Sequence, residues 1–90
     1  MSRRLMSVTA HTSVDHADAV ARGHGLEAES VAVVDATADR TDPDCVRLQV
    51  ELDDPGELPD HMEELRLTPD QARALAADLI EHADRVEGGN

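Results

Sequence analysis

Any chemistry in a chain of 90 residues must come from its histidines, its thiol and its carboxylates. This chain has five His, one Cys and twenty Asp plus Glu. His11, His16, His24, His61 and His82 carry imidazoles able to ligate a divalent cation, but none has the spacing of a metal motif. There is no H-E-x-x-H and no C-x-x-C, and His61-Met62-Glu63 lacks the P-C-x-x-C that completes a deaminase zinc site. His82 follows Asp78 by four residues, the spacing of a surface pair on a helix. No metal site and no cofactor are therefore expected. If the chain held a cation or a small ligand, His24 and His61 with their neighbouring carboxylates are the residues it would use. The aspartates of the 39–44 loop and Asp53-Asp54 read as solvated turns, since neither has the twelve-residue calcium pattern.

Cys45 is a poor nucleophile on sequence grounds, because the carboxylate of Asp44 beside it raises the thiol pKa and opposes the thiolate. A small residue at a strand edge is the simpler reading. Gly23-His24-Gly25 is too short to cradle a phosphate, and with no Lys anywhere a P-loop is excluded. Carboxylate pairs are so frequent that adjacency carries no information; a general acid or base needs a cleft that shifts its pKa. No catalytic residue emerges, and a non-enzymatic protein is expected.

Composition narrows the class of partner. Twenty acidic residues oppose eight basic ones, all Arg, for a formal charge of −12. Such like charge repels itself in dilute buffer but is screened over roughly 3 Å in molar salt. An acidic, lysine-free, alanine-rich chain suits a salt-rich cytoplasm. Nucleic acid is an unsuitable partner, because phosphate contacts need clustered cations and stacking platforms, and Phe, Tyr and Trp are all absent. No apolar run reaches the length of a membrane span, no signal-peptide core follows Met1 to Leu5, and the lone cysteine fits a reducing interior. A soluble, cytoplasmic protein is expected.

The positioning elements follow from periodicity. Thr68-Pro69-Asp70-Gln71 combines an N-cap hydroxyl, a proline at the first helical position and a glutamine at the third, the pattern of a capping box. Ala72, Leu75, Ala76, Leu79, Ile80, Ala83 and Val86 then repeat at helical spacing, which predicts a helix over 69–87 with one apolar stripe. That stripe is expected to cover the core of its own domain, with a partner-binding helix as the alternative. Alternation and β-branching predict strands over 5–12, 30–38 and 46–52, with a further short strand over 64–67. Residues 13–26 admit either a short helix capped by Ser13 or a strand over 19–25.

In the strand 30–38, Ala32, Val34 and Ala36 are assigned to the core. This leaves Val31 and Val33 as a small apolar patch on the outer face, the candidate interface residues. In 46–52, Val46, Leu48, Val50 and Leu52 are expected inward and Arg47, Gln49 and Glu51 in water. The fold expected is a single α+β domain over 1–90, two layers, with an antiparallel sheet of three to five strands and one C-terminal helix packed on one face. Without aromatic residues the core relies on Leu, Val and Ala, so stability is expected to be marginal and dimerisation a remedy.

Leu5-Met6, Gly23-His24-Gly25, Val31-Ala32-Val33-Val34, Val46 to Leu52 and Leu67-Thr68-Pro69-Asp70-Gln71-Ala72-Arg73 together resemble an uncharacterised family of small acidic proteins from halophilic archaea. The resemblance implies residence in a cytoplasm of high salt and carries over no catalytic residue. Function is accordingly expected to lie in protein contacts, through self-association or an unidentified protein partner. The alternatives are a binder of small ligands or divalent cations and an acidic antagonist of a basic protein.

Overall fold

A computed structural model describes residues 6, 8, 11–53 and 61–89. Among the described residues four strands and one helix follow one another: β1 (Val14–Gly23), β2 (Leu26–Thr37), β3 (Val46–Leu52), β4 (Met62–Leu67) and α1 (Pro69–Glu87). The sheet has the order β1-β2-β3-β4 with every neighbouring pair antiparallel, an open meander. The class is α+β, as the periodicities indicate.

The chain makes the first hairpin where residue chemistry allows the tightest return. Gly23 pairs with Leu26, leaving His24 and Gly25 as a two-residue turn in which Gly25 takes φ +72°, a conformation open to glycine. The segment of uncertain type is thus a strand, begun at Val14 and not at 19. The short helix is not formed, because the ladder to β2 supplies backbone partners that two isolated helical turns would lack. Ser13, a helix cap in the alternative reading, closes the ladder instead. Its N–H and Oγ both reach Asp35 Oδ1 (3.1 and 3.2 Å), and its Oγ accepts from Ala36 N at 3.2 Å. Between Val14 and Ala17 the register slips, so β1 carries a bulge there.

β2 is longer than expected, starting at Leu26 instead of Ser30, since the hairpin pairs it from its first residue. β3 spans the expected 46–52, and β4 begins two residues before the expected 64. Of the strand expected over 5–12, the described residues Met6, Val8, His11 and Thr12 belong to no strand, and the others lie outside the described residues.

Burial is not confined to the face expected to be core: Ala32 is buried on that face, and the opposite face holds buried residues as well. Register places Val31, Val33, Asp35 and Thr37 of β2 on one face with Glu51, Gln49 and Arg47 of β3. Alternation predicts this face to be wet, yet Val33 is 0% exposed, and Glu51 opposite it is buried and accepts from Met6 N at 3.0 Å. Met6, itself buried, therefore lies on the Val33 side, and Val33 is core. As an interface residue Val33 is corrected by this packing, and its neighbour Val31 is half-buried on the same face. The cause is that strand alternation says which residues share a face but not which face another segment covers. The buried set among the described residues is small: Met6, Ala32, Val33 and Glu51.

Candidate interaction surface

The other face of the sheet is aliphatic and only half covered. From β1 and β2 it presents small residues, Ala17, Ala19 and Ala21 beside Ala28 and Ala32, while β3 contributes Val46, Leu48, Val50 and Leu52, all half-buried. Across β4 it continues into Leu67, the exposed Leu65 and, opposite Val50, the charged and exposed Glu63. This is the face the helix was expected to close.

The helix is built as its sequence dictates. Thr68 Oγ1 accepts from Gln71 N at 3.1 Å and Thr68 N donates to Gln71 Oε1 at 2.9 Å, the reciprocal pair of a capping box, with Pro69 in the first turn. Asp70 at the amino end and Arg85 near the carboxyl end complement the helix dipole. Yet no residue of α1 is buried, and the stripe faces solvent: Leu75 is 38% exposed, Leu79 and Ile80 63%, Val86 79%. The helix associates chiefly with β4, the strand it directly follows. The expected lid over its own sheet is therefore absent.

The junction explains why. A single residue, Thr68, separates the last residue of β4 from the first of α1. It is extended (φ −68°, ψ 161°), as a residue before proline prefers, and is pinned by the capping pair. Strands and helices that pack on one another are usually joined by about two to six residues. With one, and that one fixed, α1 leaves the sheet instead of turning back across it. The sequence signal was there, in Leu67-Thr68-Pro69, where a strand pattern meets a helix cap with no loop between.

On the Val33 side, β3 and β4 carry a polar cluster. Arg47 and Arg66 face each other across the strands, an unfavourable like-charge pair relieved by carboxylates. Glu64 accepts from Gln49 Nε2 at 2.8 Å and from Arg66 Nε at 3.0 Å, and lies 3.9 Å from Arg47, which also pairs with Asp39. The Gln49 amide and then the Arg66 guanidinium hold the Glu64 carboxyl below the usual carboxylate range, while the hydrogen bond that Arg47 donates to Asp39 raises Arg47 above its own. The cluster is internally neutralised, so it offers no unopposed charge to a ligand.

The residues singled out for chemistry are dispersed. His24 is exposed at the β1–β2 turn; His61 precedes β4, with Nε2 3.2 Å from Glu63 Oε1. Among the described residues no three His, Cys, Asp or Glu side chains gather as a metal site would require. The polar neighbour of His82 is Arg85 at 3.5 Å instead of Asp78. Cys45 is partly exposed; removal from water, followed by the hydrogen bond and charge of Asp44, pushes its thiol above the ordinary value. Among the described residues no helix is long and apolar enough to cross a membrane.

Compared with known proteins, the sequence matches the family model "Family of unknown function (DUF6360)" over residues 1–88, so the chain belongs to that family. No curated protein and no solved structure matches it.

Proposed function

We propose, starting from membership of a family without an assigned activity, that this chain is a non-enzymatic domain that works through protein contacts, first of all with itself. The observation that supports this reading is surface left over. The chain exposes 7131 Å². A folded monomer of 9.7 kDa is expected to expose about 5,100 Å². Its radius of gyration, 14.8 Å, likewise exceeds the roughly 12 Å of a compact chain this long. Among the described residues the exposed surface is apolar along the Leu75, Leu79, Ile80 and Val86 stripe and at Leu65 on the sheet face, and Val46, Leu48, Val50 and Leu52 beside Leu65 are only half-buried.

The same proposal places the protein in a cytoplasm of molar salt such as halophilic archaea maintain. The formal charge of −12 without a single Lys favours this setting, in which repulsion between two such chains is screened. Sedimentation equilibrium in molar potassium chloride tests the association. A dimer or higher assembly at micromolar concentration is expected; a strict monomer at high protein concentration overturns the proposal.

A further inference from the structure

We infer that the occupant of the open sheet face is α1 of a second copy: two chains exchange their C-terminal helices, each stripe lying on the other's β3–β4 aliphatic surface. The inference rests on the self-association proposed above and specifies its geometry.

Three observations lead to it. First, each chain carries both halves of an unfinished core, an aliphatic layer in which Val46, Leu48, Val50 and Leu52 are only half-buried and Leu65 is exposed, and an amphipathic helix whose Leu75, Leu79 and Ile80 face solvent. Second, the two halves do not meet within one chain: no residue of α1 is buried, and the one-residue junction at Thr68, pinned by the capping pair, is shorter than the usual strand-to-helix connection. The same rigidity projects α1 as a preformed arm, so little ordering entropy opposes docking. Third, the sizes match. A helix of 19 residues is about 28 Å long and about 10 Å across. The seven residues of β3 extend about 24 Å, and β3 with β4 about 10 Å in width.

Reciprocity decides between this and simpler pairings. Helix against helix would cover the stripes and leave both sheet faces open. Joining sheets edge to edge through β1 or β4 would cover neither apolar surface. Only the exchange covers both, and because each chain gives and receives the same contact, a two-fold axis closes the assembly at two copies. The outward face of α1, with Asp78, Glu81 and Asp84, stays in solvent in the exchanged dimer.

Disulfide trapping in a Cys45→Ser background tests the geometry. One pool carries a cysteine on the helix (Leu79→Cys or Ile80→Cys), the other a cysteine on the sheet face (Leu48→Cys, Val50→Cys or Leu65→Cys). The pools are mixed, allowed to re-equilibrate in molar salt and oxidised, and circular dichroism of each variant checks that helix and sheet persist. Helix-to-sheet disulfides joining one chain from each pool are the expected product. If the unsubstituted chain sediments as a dimer but only helix-to-helix disulfides form, or no helix-to-sheet pair forms in the whole set, the exchange is wrong while self-association stands. If chains carrying both cysteines close internally and run as monomers, α1 covers its own sheet and the inference falls. A monomer in the sedimentation experiment removes self-association itself and the exchange with it.

Discussion

Val33 and Glu51 show how a residue's role follows from what arrives above it. Val33 is the one fully buried large side chain among the described residues, and shortening it leaves a void that no neighbour fills. Val33→Ala is expected to lower the unfolding free energy by about 2 kcal/mol in urea titrations at constant salt. Glu64 gives a pH prediction with a definite sign. Its folded pKa is depressed by Gln49 and Arg66, so its stabilising contribution is complete above the unfolded carboxylate range and is lost as pH falls through the folded value. Glu64→Gln should therefore flatten the acid limb of stability against pH while leaving the neutral region shallow. Cys45 should alkylate more slowly at neutral pH than a free thiol, with its rate rising only at higher pH, because burial and Asp44 disfavour the thiolate. That the thiol is restrained by Asp44 could be read from the sequence, since the two are neighbours in the chain. That Val33 is core and not interface could not, since nothing local to β2 records where Met6 lies.

Elements are where local chemistry was most legible. The boundaries of α1 and β3 agree with their periodicities to the residue, because cap, apolar spacing and stop signal are all written within a few positions of the element they delimit. β1 was harder. Its small alanines and acidic residues satisfy neither period strongly, and pairing with β2 decides its state. The capping pair at Thr68 has a measurable worth: Thr68→Ala should cost about 1 kcal/mol of stability. Far-ultraviolet circular dichroism should show fraying of the first helical turn. The exposed stripe on α1 was legible as amphipathic, and a partner-binding helix was one of its two readings. The preference for an internal lid is corrected by burial, since no residue of α1 is buried, and the one-residue connection is shorter than those that usually fold a helix back over its sheet.

Across the whole molecule, charge and incomplete burial act together. At −12 per chain, association brings two like-charged bodies into contact, and the screening length of about 30 Å in about 10 mM salt falls to about 3 Å in about 1 M. Concentrated salt therefore has two consequences, weaker repulsion and, for strongly hydrated anions, stronger effective apolar burial. Urea midpoints should rise steadily from dilute to molar potassium chloride, and the sedimentation mass should fall toward the monomer as salt is withdrawn. Equal stability and equal mass at both extremes would remove the case for salt adaptation. Stability should also depend on protein concentration, as it does wherever folding and assembly are linked.

From the amino-acid sequence alone came the α+β class, the extent of α1 and β3, the excess of acidic charge and the lack of any motif for catalysis. Each of these depends on residues close together in the chain or on composition. Which sheet face is buried, whether Val33 is reachable and whether the stripe of α1 finds a surface were decided only in the tertiary structure. Burial is a relation between segments distant in sequence, and a chain's apolar pattern specifies that a surface needs covering without specifying what covers it.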